Sequence, residues 1–427
     1  MDLLVQASKG LRGTVHVPTN KSHSFRALIM AALAEGRSRI IAPAVSADWL
    51  RGTEALEMMG AKIEPKGDQD WEIVGTGGRL ATPDDVVNCG NSGIIFRFFA
   101  ALAAGCPGYT VLTGDESVRR IRPCGPLLNA LNELGAWAVS TKGDGHAPIV
   151  VRGPIAGGSA SLDGSDSQPV SALLIAGTLA RAPVELNVTN PGEKPWVNVT
   201  LHWLKRCGVQ VENENFVRYR VPAGARWGGF ETAIPGDWSA AMYPIVAGLI
   251  CPDSEVRVSG VDPDDVQGDK MVLDVLREMG ANLEPTRDGV IARSSRLVGR
   301  SIDCNDFIDQ FTLLAVVGAC AEGETVLTNA AVCRRKECDR IAEMAKALKL
   351  MGADVEERPD GLAVRKSRLR AARLNSRADH RMVMTLSLAG IVAGGQTRIS
   401  DIECVRKTFP NFVEQMSALG CDMQKQV

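Results

Sequence analysis

Pro18-Thr-Asn-Lys-Ser-His-Ser-Phe-Arg-Ala-Leu-Ile-Met-Ala-Ala-Leu-Ala-Glu-Gly36 is the stretch on which the reading of this chain turns. A proline and small polar residues precede a solid apolar run, the signature of a helix N-terminus. Lys21, Ser22 and Arg26 fall in the opening turns, where acids are normally favoured over bases. Cations at the positive end of a helix are costly unless an anion sits between them. Together with the free backbone N–H groups they make an anion site. Taken alone, this segment reads equally as a core helix with a solvated first turn.

The segment recurs. Polar or ionic starts followed by apolar runs begin near Lys21, Asn91, Ser167, Asp237, Asp309 and Asp379, at intervals of roughly seventy residues. A second marker runs in step, a helix end closing on glycine before a strand. It reads Leu-Glu-Met-Met-Gly60, Leu-Asn-Glu-Leu-Gly135, Leu-Lys-Arg-Cys-Gly208, Leu-Arg-Glu-Met-Gly280, Leu-Lys-Leu-Met-Gly352 and Met-Ser-Ala-Leu-Gly420. Each glycine stands where a helix needs a left-handed closing residue. Two markers in one frame define an internal repeat, each unit a small α/β layer with two helices, and six units divide most simply into two domains of three.

The chain has 427 residues, 45% of them hydrophobic, enough to bury a large core. A formal net charge of −2 speaks against a nucleic-acid surface, which needs a clustered basic excess. The eleven cysteines form no Cys-x-x-Cys pair and there is no histidine cluster, so neither a disulfide framework nor a zinc site is expected. They read as reduced, mostly buried thiols. The N-terminus has no charged n-region or long apolar core, and runs such as Phe311–Ala321 are too short to span a bilayer, so a cytoplasmic, non-membrane protein is expected. No glycine-rich nucleotide fingerprint and no metal constellation appears, so no cofactor and no metal are expected and any proton transfer falls to side chains.

In chain order, Leu11–Val17 alternates as a strand and Tyr109–Thr113 reads as another. A loop with three arginines follows it, Gly114-Asp-Glu-Ser-Val-Arg-Arg-Ile-Arg122, with Pro123 expected as the first helical residue before Leu127–Leu134. A hinge is expected near Pro235, after the looser stretch from Val221. Arg334-Arg-Lys-Glu-Cys-Asp-Arg340 carries alternating charge at a helix start and reads equally as a solvated, ion-paired face. Lys21, Arg26, Arg122, Lys336, Arg340, Arg381 and Lys407 all lie at or near helix starts in the repeat frame, interleaved with Asp309, Glu337 and His380. Such a set suits small substrates carrying several negative charges.

The segments Asn20-Lys-Ser-x-Ser-x-Arg26, Gly90-Asn-Ser-Gly93 with Arg97, Gly114-Asp-Glu-Ser with Arg122-Pro123, Ser167-Gln168, Lys194-Pro195, Asn305-Asp-x-x-Asp309, Lys336-Glu-x-Asp-Arg340, Asp379-His-Arg-Met382 and Lys407-Thr-Phe-Pro410 occur in this order. In these the chain resembles the 5-enolpyruvylshikimate-3-phosphate synthase family of enolpyruvyl transferases over essentially its whole length. The resemblance implies a two-domain inside-out α/β barrel of six βαβαββ repeats, three per domain, whose halves close over the substrates. It places residues 21–234 in one domain and residues 1–20 with 235–427 in the other, with hinges near 20 and 235. It further implies transfer of the enolpyruvyl group of phosphoenolpyruvate to the 5-hydroxyl of shikimate 3-phosphate, with release of phosphate through a tetrahedral intermediate, and a monomer.

By the same resemblance Lys21, Asn91, Gly93, Arg122, Gln168, Arg340, Arg381 and Lys407 would serve phosphoenolpyruvate. Ser22, Arg26, Asp166, Ser167, Gln168, Glu193, Trp196, Asp309 and Lys336 would face the acceptor. Asp309 would take the hydroxyl proton. Lys21, Glu337 and Lys407 are the candidates for protonating the enol methylene, and His380 would orient its neighbours. Crowded cations lower a lysine's pKa, which suits Lys21 to proton transfer near neutrality. The chain departs from the family pattern at Ile94 and Phe98, beside the phosphoenolpyruvate residues. It departs also where a phosphate would be held, with Asp166, Glu193, Trp196 and Val332 in place of serines, tyrosine and asparagine. Carboxylates there would repel a phosphate by ~1 kcal/mol or more each, unless they turn away or pair with Lys194, leaving Lys336 and Ser167 to hold it. The alternative is an unphosphorylated acceptor. The sister transferase acting on UDP-N-acetylglucosamine has a reactive cysteine shortly before the arginine matching Arg122. Here Cys124 follows that arginine, which ranks this reading low. A non-catalytic repeat protein would spread its charges over exposed faces instead.

Overall fold

The computed structural model describes residues 1–426. Six helices carry the apolar runs: Lys21–Leu33, Gly93–Ala103, Ser167–Gly177, Trp238–Ile250, Phe311–Cys320 and His380–Val392. They are numbered here first to sixth core helix. Nearly every residue in them is buried, the condition expected of a helix apolar all round. In five of the six a side chain just ahead of the helix satisfies the free N–H groups: Asn20, Ser92, Asp166, Asp237 and Asp379. The fifth departs from the expected start at Asp309. A 3-10 turn, Asn305–Gln310, precedes it, and Gln310 at the cap position makes no side-chain capping bond.

The described chain forms six four-stranded sheets. Each repeat sheet has one parallel pair and otherwise antiparallel neighbours, as where Val87–Asn88 runs parallel to Tyr109–Thr113, which pairs antiparallel with Ile149–Arg152. All six closing glycines have positive φ, from 80° at Gly208 to 101° at Gly60 and Gly420, so their positions need glycine.

The chain divides into two compact units, Thr19–Ile234 and Met1–Pro18 with Pro235–Val427. The N-terminal strands belong to the second because Asp2–Gln6 lies between Gln396–Ser400 and Met423–Gln426, while Arg12–His16 pairs with Glu255–Ser259. In that unit the fourth, fifth and sixth core helices pack on one another. In the other unit the second and third core helices pack together, and Phe25 of the first meets Phe98 and Phe99 of the second. Both units therefore keep helices inside and sheets outside.

Two local expectations fail. The three-arginine loop contains a short helix, Glu116–Arg120, capped by Asp115. The next helix is Gly125–Glu133, so Pro126 and not Pro123 occupies its first turn, the helix starting at Gly125 with a second proline directly behind it.

Candidate active site

In the unit containing the C-terminus, Arg340 opens the helix Arg340–Leu350 and is 2% exposed. Its guanidinium is divided among three acids. Nη1 donates to Asp309 Oδ1 at 3.0 Å, Nη2 to Glu337 Oε2 at 2.9 Å, and Nε to Asp379 Oδ2 at 2.8 Å. Asp379, fully buried, also accepts from the Arg381 backbone N–H at 2.8 Å as cap of the sixth core helix. Arg381 Nη2 donates to the second Asp309 oxygen at 3.1 Å. Lys407 Nζ lies 3.6 Å from Glu337 Oε1, and His380 Nδ1 lies 3.8 Å from Asp379 Oδ1. Five residues expected from sequence, Asp309, Glu337, Arg340, Arg381 and Lys407, thus form one connected charge cluster.

Burial alone would raise the Asp309 pKa, but Arg381, Lys336 and Arg340 overcome it and hold the carboxyl well below the usual range. Burial works against the Arg340 charge too, and is outweighed by Asp379, Glu337 and Asp309, which keep its pKa raised. Lys336 and Glu337, expected on a helix start, lie instead between the 3-10 turn Ala331–Arg335 and the helix that opens at Arg340. Val332 is partly buried against the core.

In the other unit the arginines gather around Gly93. A Cβ built there would lie 2.8 Å from Arg97 Nη1, 3.1 Å from Arg122 Nη1 and 3.4 Å from Gln168 Oε1. Arg97 Nη1 donates to Gln168 Oε1 at 2.9 Å and Nη2 pairs with Asp166 Oδ2 at 2.9 Å. Arg97 and Arg122 are each 4% exposed, a concentration of buried positive charge that an anion would relieve. Asn91 donates to Asp115 Oδ2 at 2.8 Å and Ser117 Oγ at 3.2 Å. Lys21, first in its helix, sits 3.7 Å from Asp48 Oδ2. Arg26 is buried under the Ser22 carbonyl, Thr200 Oγ1 and the Trp196 carbonyl, with its guanidinium 5.3 Å from the Phe98 ring centre.

Asp166 and Glu193 do not pair with Lys194, which lies over the Phe216 ring at 5.9 Å. Asp166 caps the third core helix while paired with Arg97. Glu193, 1% exposed with φ 46°, turns into the start of the same helix. Its Oε2 accepts from the Ser167 N–H at 2.9 Å and the Ser167 hydroxyl at 2.7 Å. Ser167 is therefore engaged by a carboxylate where the sequence left it for phosphate.

The family model for EPSP synthase (3-phosphoshikimate 1-carboxyvinyltransferase) matches residues 5–416. The chain belongs to the EPSP synthase family. It is 43% identical over 423 residues to the 3-phosphoshikimate 1-carboxyvinyltransferase of Acetivibrio thermocellus, covering 99% of each chain. It is 43% identical over 422 residues to that of Halobacterium salinarum, covering 96% of this chain and 97% of the relative. The solved EPSP synthase from Acinetobacter baumannii superposes with TM-score 0.82 at 27% identity, over the whole of both chains. The enolpyruvyl transferase NikO from Streptomyces tendae shares the fold, with TM-score 0.76 at 19% identity over 99% of this chain and 98% of that one.

The EPSP synthase family is one of transferases acting on small-molecule substrates. Among the described residues no helix is long and apolar enough to cross a membrane. Several residues that hold this candidate site together are not among those expected from sequence. Arg97 was visible only as part of a motif. Its position four residues after Gly93 on one helix face was the available signal. Asp379 was readable as a helix cap, yet nothing in sequence showed that its carboxylate also holds Arg340. Asp48 and Thr200 carried no signal beyond their residue type.

Proposed function

We propose that the chain transfers the enolpyruvyl group of phosphoenolpyruvate to the 5-hydroxyl of shikimate 3-phosphate, releasing inorganic phosphate by addition and elimination. The observation that carries this reading is Asp309 held between Arg340 and Arg381, an ionised carboxylate beside two buried cations. Asp309 takes the acceptor proton as the hydroxyl oxygen attacks C2 of phosphoenolpyruvate. In the ligand-free state the arginines make it a weak base. When Arg340 and Arg381 turn part of their charge to the anions of phosphoenolpyruvate, their hold on Asp309 relaxes and its basicity rises. Lys407 beside Glu337, or Lys21 beside Asp48, delivers the proton to the methylene carbon.

In the other unit, the space at Gly93 between Arg97, Arg122 and Gln168 takes a phosphate or carboxylate of phosphoenolpyruvate, with Asn91 fixed beside it by Asp115. Ser22 and Arg26 face the acceptor carboxylate, with Trp196 and Lys336 on the acceptor side. His380 orients Asp379. No cofactor or metal takes part. The protein works as a cytoplasmic monomer with no nucleic-acid or membrane partner.

One observation favours a second reading. Glu193 already fills the start of the third core helix through both Ser167 donors, which suits an acceptor without a phosphate there. Phosphate release is measured with phosphoenolpyruvate and either shikimate 3-phosphate or shikimate. Turnover with the first supports the main reading, turnover only with the second supports the alternative, and release with neither removes both.

A further inference from the structure

A buried carboxylate close to Asp309 has no part in the chemistry above. Asp269 lies in the 3-10 turn Gly268–Met271 and is 0% exposed. Its Oδ2 accepts from the Gln310 side-chain amide at 2.8 Å and from the Ser239 hydroxyl. Its Oδ1 makes no hydrogen bond within the described protein. Gln310 follows Asp309 directly and is equally buried. It stands where the other five core helices carry or adjoin a capping side chain, but its amide reaches away, to Asp269 and, at 3.4 Å, to the Ser239 carbonyl. The turn that presents Asp309 is thus tied by its last residue to the first turn of the fourth core helix. That turn is irregular, with Phe307 at φ −135° and ψ 45°, so its own backbone ladder does not fix Asp309.

A tie between Ser239 and Gln310 needs only a neutral acceptor. A carboxylate buried with one oxygen unpaired is more costly than a neutral amide of the same shape unless a cation compensates it. The cation is Arg381, whose raised pKa reflects Asp309, Tyr243 and Asp269 acting against burial. Burial pushes Asp269 up to about 6 against the pull of Arg381. Arg381 accordingly feels the charge of two carboxylates, Asp309 and Asp269.

We propose that Asp269 is a positioning residue for enolpyruvyl transfer, fixing Asp309 through Gln310 and holding Arg381 through its charge. This rests on Asp309 being the proton acceptor. The test compares steady-state kinetics of Asp269→Asn, Gln310→Met, the double variant and Asp309→Asn, each checked for folding by thermal melting. Asp269→Asn keeps the shape and loses the charge. The expected result is a 10- to 100-fold fall in kcat with both substrate KM values within about threefold, for Asp269→Asn and for Gln310→Met. The double variant loses more than either single one, because Asp269→Asn takes the charge away from Arg381 while Gln310→Met breaks the tie to Asp309. Wild-type kcat in Asp269→Asn, or a matching rise in both KM values without loss of kcat, overturns the proposal. Should Asp269→Asn fail to fold, folded Gln310→Met decides alone: lowered kcat at unchanged KM supports the proposal, and unchanged kcat ends it. If Asp309→Asn itself turns over normally, the failure belongs to the assignment of Asp309 instead.

Discussion

Arg340 and Asp379 form a pair with neither member in water: Nε of the one donates to Oδ2 of the other at 2.8 Å, and their side chains are 2% and 0% exposed. The same guanidinium reaches outward to Asp309 and Glu337. Asp379 therefore anchors an arginine whose two terminal nitrogens hold Asp309 and Glu337 in place. It simultaneously caps the sixth core helix through the Arg381 N–H. Structure and chemistry converge on one residue, and the two roles separate by substitution.

Asp379→Asn leaves Arg340 buried without its full counter-charge. Breaking a buried pair from one side costs about 3–5 kcal/mol, and the cap is retained because asparagine caps as well as aspartate. The expected outcome is a clear drop in thermal midpoint together with lost activity.

Asp309→Asn should weigh on turnover more than on stability. Asp309 is 24% exposed in its side chain and Arg340 keeps two other acids, but the buried Arg381 loses the carboxylate that it pairs with, so some stability is lost as well. With Asp309 as the proposed general base, its loss costs about 10²- to 10⁴-fold in kcat. A thermal midpoint lowered by less than in Asp379→Asn, with turnover reduced to that extent, is expected. A large fall in midpoint would show that the pair is chiefly structural.

Gly93→Ala tests the arginine cluster of the other unit. The added Cβ would press on Arg97 Nη1 at 2.8 Å and Arg122 Nη1 at 3.1 Å. Guanidinium tips can move, so the fold survives, but a displacement approaching 1 Å in a binding cluster costs up to about 100-fold. The expected change is a raised KM for phosphoenolpyruvate with the acceptor KM little altered.

Much of this was legible in the chain before its coordinates. The glycines at 60, 135, 208, 280, 352 and 420 are forced by backbone sterics, and sterics are local, so they mark the repeat plainly. Capping by Asn20, Ser92, Asp166, Asp237 and Asp379 is local as well. Asp309 misleads because tertiary demand overrides the local pattern: Gln310 abandons its cap to reach Asp269. Glu193 misleads differently. Residue type announces a charge, but only three-dimensional proximity shows that Ser167 absorbs it. The Asp269 contact with Ser239 parallels that of Glu193 with Ser167 in the repeat frame, but the two acids differ in type and in spacing, 30 residues against 26, so no motif marks it in sequence.

Glu193→Gln probes what that carboxylate does to the acceptor. Glutamine can still accept from Ser167 and keeps the side-chain length, while the negative charge disappears. If an acceptor phosphate approaches this helix start, removing a neighbouring charge worth on the order of 1 kcal/mol should lower the KM for shikimate 3-phosphate about fivefold. The KM for unphosphorylated shikimate should stay put. An unchanged ratio between the two acceptors would mean the phosphate binds away from Ser167.

The pH dependence of stability offers a separate check on Asp269. Its folded pKa, about 6, exceeds its ordinary value of 3.8. Between those values the folded chain holds a proton that the unfolded chain has released, so stability falls as pH rises through that window and is level above it. The size of the effect is on the order of 2–3 kcal/mol. Asp269→Asn lacks the titrating group. Thermal midpoints of wild type and variant, measured from pH 4 to pH 7.5, should therefore diverge, wild type losing ground to the variant up to about pH 6 and holding a constant difference beyond. A difference that stays flat across the whole range would mean that Asp269 titrates alike in both states and feels neither its burial nor Arg381.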